Sequence, residues 1–189
     1  RVGAIQGTVL DADGSTIYNW FTEFGLTQDS TDFLLGTTTT DLKLKSTTII
    51  RNMESALGAA PFSGIKVFCG DTFWDKLVSH SKVEAAYERW QDGQFLRDNQ
   101  LETGFPYGGL FFERYRGNIG GSAWIAAADA YAIPLGVPGL FQHIMAPADF
   151  VETVNSRGMA IYAKQERMKF DKGIELHTQS NPLMIATRP

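Results

Sequence analysis

Between Thr40 and Leu57 the apolar residues Leu42, Ile49, Ile50, Met53, Ala56 and Leu57 recur at steps of three and four, the spacing of one face of a long helix. Asp41 falls in its expected first turn. Gly58 and Pro61 stop it, glycine by permitting a left-handed cap and proline by refusing to continue. Ile65 to Cys69 then reads as a short apolar strand. Asp71 is a candidate N-cap for a helix carrying Phe73, Trp74, Leu77 and Val78. Ser81-Lys82-Val83-Glu84 has the spacing of a capping box for another, which holds Ala85, Ala86, Tyr87 and Trp90 and stops near Gly93. Leu110 to Tyr115, Ala130 to Pro134, Ala160 to Lys164, Gly173 to Gln179 and Leu183 to Ala186 read as strands, and Gly104 to Gly109 and Gly117 to Gly121 as loops. Helices and strands mix without regular alternation, so the fold class is α+β.

The first thirty residues predict a hairpin: Val2 to Leu10 and Ser15 to Phe24 flank the turn Asp11-Ala12-Asp13-Gly14. A two-stranded ribbon is marginal alone and cannot bury Ile5, Val9, Ile17, Tyr18, Trp20 and Phe21. A partner surface is expected, with another copy of the chain as the natural candidate.

The chain has 189 residues, enough to bury roughly 70 per cent of its unfolded surface without a metal or disulfide staple. With 43% hydrophobic and 20% charged residues it sits among globular proteins. Apolar stretches such as Trp124 to Ala128 are far too short to cross a bilayer. A net charge of -4 gives no bulk electrostatic footprint for a nucleic-acid backbone. Cys69 is the single cysteine, and beside Val67 and Phe68 it suits a small buried hydrophobe in a reducing compartment. The chain starts without Met and stops directly after an apolar strand-like run, so it reads as a fragment.

Catalytic and ligand chemistry is weighed against simpler roles. Asp11 to Gly14 resembles a calcium loop only in passing, because that loop needs its glycine two positions later and a glutamate beyond. Gly117, Gly120 and Gly121 lack the phosphate-loop spacing. A small hydrolase would need Cys69 next to His80, His143 or His177, yet a strand cysteine among bulky apolar residues is ordinarily inert. The three histidines form no ligand cluster, so no metal and no cofactor is expected. Asp71, Asp75 and Glu84 fit helix caps and first-turn charges better than an acid/base pair. Tyr107, Phe111, Phe112 and Tyr115 fit a strand's core packing, with only Arg114 and Arg116 near enough to serve a base-stacking platform.

The tail from Lys172 onward, centred on Gln179-Ser180-Asn181-Pro182-Leu183-Met184, is similar to the closing strands of the lambda-type phage major capsid protein E family. Ile133-Pro134-Leu135-Gly136-Val137-Pro138-Gly139-Leu140-Phe141, Met145-Ala146-Pro147-Ala148-Asp149-Phe150, Tyr162-Ala163-Lys164-Gln165 and the hairpin from Gly14 to Gly25 resemble the same family. The resemblance runs from about Gly3 to the end, with the family's N-terminal arm missing. It implies the Hong Kong 97-type capsid fold: residues 1–30 as an extended hairpin, 31–64 and 147–189 as a peripheral domain with a spine helix, and 65–146 as an axial domain. It also implies a structural head protein of a tailed phage or prophage, not an enzyme. Copies would form hexamers and pentamers in an icosahedral shell, a virion component assembled in the bacterial cytoplasm. The shell would enclose DNA without sequence-specific binding or a membrane, with scaffolding and decoration proteins as further partners. The subunit-interface candidates are Tyr18, Trp20 and Phe21 on the hairpin, with Tyr107 and Asn118 in the two glycine-rich loops. Another phage morphogenesis or tail-associated module is the alternative.

Overall fold

The computed structural model describes residues 7–11, 13–94, 104–119 and 122–187. The expected strand residues 2–6, Ala12, the loop glycines Gly120 and Gly121, and the side chain of Trp90 lie outside that description. The chain divides into two compact units, one holding the residues up to Leu26 with Gly139–Thr187, the other Thr27–Pro138.

The first unit opens with Thr8–Leu10 (β1) and Thr16–Asn19 (β2), an antiparallel pair in which Val9 faces Tyr18. The second strand is shorter than expected, and the reason is a cap. The Asn19 side chain accepts from the N–H groups of Phe21 and Thr22 at 3.0 and 3.4 Å, turning the chain into one helical turn, Trp20–Glu23 (α1). Trp20 and Phe21 are therefore helical rather than strand residues.

In the second unit Asp41 is the N-cap of the long helix, not a first-turn residue. Its carboxylate accepts from Lys43 and Leu44 N–H, both at 3.1 Å. The helix spans Leu42–Leu57 (α2), close to expectation, and ends at Gly58 with φ 58°. Leu42 and Leu57 are buried, and Ile49, Ile50 and Met53 pack against the core. Next come Gly64–Cys69 (β3), Asp71–Val78 (α3) and Glu84–Gln94 (α4). Gly70, not Asp71, is the N-cap of α3. The Ser81 capping box does not form, because the Glu84 N–H donates to the His80 carbonyl at 2.9 Å and the Lys82 N–H to His80 Nδ1 at 3.2 Å.

Gly104–Tyr107 (β4), Leu110–Arg114 (β5), the short pair Asn118–Ile119 (β6) and Ser122–Ala123 (β7), and Ala130–Leu135 (β8) follow. They correct both loop expectations. β4 joins a four-stranded sheet of order β4-β5-β3-β8, with β3 and β5 parallel and the other neighbours antiparallel. Ile65, Val67 and Cys69 alternate onto its buried face with Phe105, Leu110 and Phe112. Phe105 stacks on Phe112 at 6.1 Å and meets the edges of Trp74 and Tyr87 at 5.7 and 5.1 Å, while Phe33 meets Phe112 at 6.2 Å.

The rest of the first unit is built from ribbons. Phe141–Met145 (β9) pairs with Pro182–Ala186 (β12), and Tyr162–Arg167 (β10) with Ile174–Gln179 (β11), each pair antiparallel and each a sheet of two. β9 has no counterpart in the sequence expectation.

Tyr107 and Leu110 face each other across a two-residue turn, Gly108–Gly109, with φ of 60° and 87°. The turn lies against α2, where a Cβ on Gly108 would come within 2.7 Å of the buried Ser46 side chain. Gly108→Ala therefore adds both backbone strain and a clash. Urea unfolding should show a loss of about 1–3 kcal/mol, and an unchanged midpoint would refute the close approach.

Candidate functional site

The hairpin turn is closed by Asp13, whose carboxylate accepts from the Ser15 N–H at 2.8 Å and the Ser15 hydroxyl at 2.6 Å. Those hydrogen bonds, the hydroxyl's first, hold its carboxyl below the usual range. With the turn fixed, β2 and α1 line up three rings. Tyr18 stacks on Trp20 at 5.8 Å and Trp20 on Phe24 at 5.9 Å. Tyr18 and Phe24 are each 50% exposed, so the ends of the stack face solvent. Trp20 lies between them, half-buried, with its Nε1 enclosed and without a hydrogen-bond partner among the described residues. Phe21 turns the other way. Its ring closes over Gly7, where a Cβ would sit 2.3 Å away, and Trp20 N–H donates to the Gly7 carbonyl at 2.8 Å.

Tyr107 and Asn118 belong to the second unit. Tyr107 is half-buried on β4 and donates its hydroxyl to the Lys82 carbonyl at 3.4 Å. Burial, and then the charge of Asp41, push that hydroxyl's pKa up. It borders an open polar cleft of about 480 Å³ with Thr39, Asp41, Lys43 and Lys82. Asn118 is exposed on β6, opposite Ala123.

Cys69 is fully buried and burial pushes its thiol up to about 12, far from the reactive range. The histidines are engaged elsewhere. His80 Nε2 lies 3.1 Å from the Thr37 carbonyl, His177 meets the Phe150 ring at 5.6 Å, and His143 faces Met184 across β9 and β12. Among the described residues no group of histidine, cysteine and carboxylate side chains is arranged to hold a metal, and no helix is long and apolar enough to cross a membrane. Asp71 accepts from Arg114 Nε at 2.5 Å, and that hydrogen bond holds its carboxyl below the usual range.

The distribution of bare apolar surface was only partly legible beforehand. Among the described residues, all but Leu34, Leu44 and Leu135 of the exposed large apolar side chains belong to the first unit. They extend beyond the N-terminal hairpin to Phe141, Ile144, Val151, Ile161, Phe170, Ile174 and Leu176. The alternation in Ile174 to Gln179 was the available signal, but alternation alone does not tell which face is open.

An α+β chain whose apolar residues face out from thin ribbons is of the class that completes its surface by association. The comparisons give that class a name. The family model of phage major capsid protein E matches residues 1–189, and the chain belongs to that family. A curated relative, the major capsid protein of Pseudomonas phage KPP10, is 29% identical over 192 residues, covering 93% of this chain and 55% of that protein. The chain thus spans about half the length of that relative.

Two measurements test this geometry. Native protein should leave Cys69 unlabelled by maleimide from neutral pH to pH 9, and labelling should appear only with urea unfolding; rapid native labelling would sink the buried assignment. Because the folded pKa of Asp71 lies below its unfolded value of about 3.9, its stabilisation is present above that pH and fades as acid protonates the folded carboxylate. Asp71→Asn should therefore flatten the acid limb of the stability curve, and an unaltered limb would rule the contribution out.

Proposed function

We propose that this chain is part of a tailed-phage major capsid protein, a structural head subunit that closes with many copies of itself into the shell around the DNA. The observation that carries the reading is the family match along all 189 residues. In the finer form of the proposal the fold is of the Hong Kong 97 type. The residues up to 30 are the extended hairpin, 31–64 with 147–189 the peripheral domain whose spine is α2, and 65–146 the axial domain. Those terms describe positions in a ring of subunits; contacts inside one chain group α2 with the four-stranded sheet.

Hexamers and pentamers are the proposed rings, and the virion is the proposed location. DNA is enclosed without sequence-specific contacts, consistent with a net charge of -4. Scaffolding and decoration proteins complete the proposed partners, and no turnover is assigned to the chain. Tyr18, Trp20 and Phe21 are proposed interface residues, with Tyr107 and Asn118 as axial contacts. Within the hairpin the exposed stack favours Tyr18 as the outermost contact, supported by Trp20, while Phe21 acts through its packing on Gly7.

Electron microscopy of the full-length protein tests the reading: closed shells are expected, and tubes or dispersed monomers would overturn it. Tyr18→Asp should leave circular dichroism and the thermal midpoint as in wild type while cutting shell yield about tenfold or more. Shells at wild-type yield would remove the hairpin stack from the interface.

A further inference from the structure

The β10–β11 ribbon is docked on its own unit by the wrong face. In an antiparallel pair, residues directly opposite each other share a face. One face of this ribbon therefore carries Tyr162 with Gln179, Lys164 with His177 and Glu166 with Glu175; the other carries Ala163 with Thr178, Gln165 with Leu176 and Arg167 with Ile174. The polar face is the one that makes side-chain contacts within the unit, and its Tyr162–Gln179 end is the covered part. Lys164 pairs with Glu152 at 2.8 Å, His177 meets the Phe150 ring, the Tyr162 hydroxyl accepts from the Met159 N–H at 2.9 Å, and Gln179 accepts from the Asp149 N–H at 3.4 Å. The apolar face is bare, with Ile174 68% and Leu176 66% exposed. A ribbon folded only for its own subunit would place these faces the other way round.

The tip adds an independent observation. Phe170 holds φ 64° and Asp171 φ 53°, left-handed backbone that costs a bulky side chain about 1 kcal/mol or more. Yet the Phe170 ring is 90% exposed and recovers almost no packing inside the subunit. Within residues 167–172, inside the Glu166–Glu175 rung, Arg167, Lys169 and Lys172 outnumber Asp171, a charge of +2 at the tip itself against a chain total of -4. The remainder of the 189 residues is thus at -6, of opposite sign to the tip.

We propose that this ribbon is a copy-to-copy interface: Phe170 anchors in a neighbouring copy, and the Ile174 and Leu176 face is covered by it. The inference rests on the capsid reading and names a contact that reading does not contain. Opposite charge and a nearly uncharged apolar face match the rim and centre of a protein interface. A nucleic-acid occupant would use the basic tip but leave Ile174 and Leu176 wet.

The test uses full-length protein carrying Leu176→Cys, in which buried Cys69 stays silent to maleimide. The thiol at 176 should label about tenfold or more slowly in sedimented assemblies than in dilute subunits. Phe170→Gly, which relieves the positive φ, should keep or raise the subunit's thermal midpoint while weakening association about tenfold. A purely structural Phe170 would instead lower the midpoint. Shells that form at wild-type yield from Phe170→Gly, with the 176 thiol labelling as fast as in dilute subunits, overturn this inference and leave the capsid reading standing. Wild-type protein that never associates overturns both. Protection that requires added DNA or a different protein, and not a higher subunit concentration, overturns the choice of a second copy.

Discussion

Burial of one face of β3 is the constraint on which the second unit depends. Ile65, Val67 and Cys69 point into a core closed from the helical side by Leu42, Trp74 and Leu77, and the opposite face stays partly wet, with Lys66 paired to Glu113. A parallel neighbour such as β5 demands a long crossover, and the chain meets it with α3, α4 and β4. The crossover then has to bring Phe105 back beneath Phe112, which needs a turn tight enough to join β4 to β5 and flat enough to touch α2. Gly108 and Gly109 supply both. The helix position, the strand order and the aromatic core are thus one solution to covering a single strand face.

The first unit lacks such a centre. Its described buried apolar residues are Leu140, Ala148 and Tyr162, too few to hold three ribbons by hydrophobic burial. Side chains bonded to backbone carbonyls take over. Asn181 Nδ2 donates to Pro147 at 2.8 Å, Ser180 Oγ to Ala160 at 2.7 Å and Thr187 Oγ1 to Gly139 at 2.7 Å. Each contributes on the order of 1 kcal/mol net and fixes direction more than it adds stability. This accounts physically for the family-like run Gln179 to Met184: Asn181 bonds Pro147, Gln179 reaches both Asn181 and Asp149, and so the run stitches β11 and β12 to the segment after β9.

What the sequence made legible follows the same division. Periodicity located α2 and β3 almost to the residue because a packed core enforces spacing. It failed where one short polar side chain decides the backbone. Asn19 caps α1 and cuts β2 short, Gly70 displaces Asp71 from the cap, and the His80 carbonyl takes the Glu84 amide that a Ser81 box needs. These local competitions turn on about 1 kcal/mol, beneath the resolution of a hydrophobic pattern. The interface candidates divide likewise. Tyr18 lies outward as a two-stranded ribbon requires, whereas Phe21 is claimed by Gly7, an approach that only a residue without a Cβ permits.

If the chain assembles as proposed, having one well-packed unit and one stitched unit has a consequence for assembly. Apolar area contributes roughly 25 cal/mol per Å² when covered, so the side chains left bare on the ribbons hold back stabilisation that folding alone never collects. Covering that area would stabilise the fold and the contact together. Distributing that area over several thin ribbons, instead of concentrating it in one patch, keeps each contact weak by itself. Many weak contacts per subunit can be made, broken and corrected before closure, whereas one strong patch would trap misplaced copies. On the proposed capsid reading, the ribbons' poor self-sufficiency is the property that would suit the chain to a closed, many-copy surface.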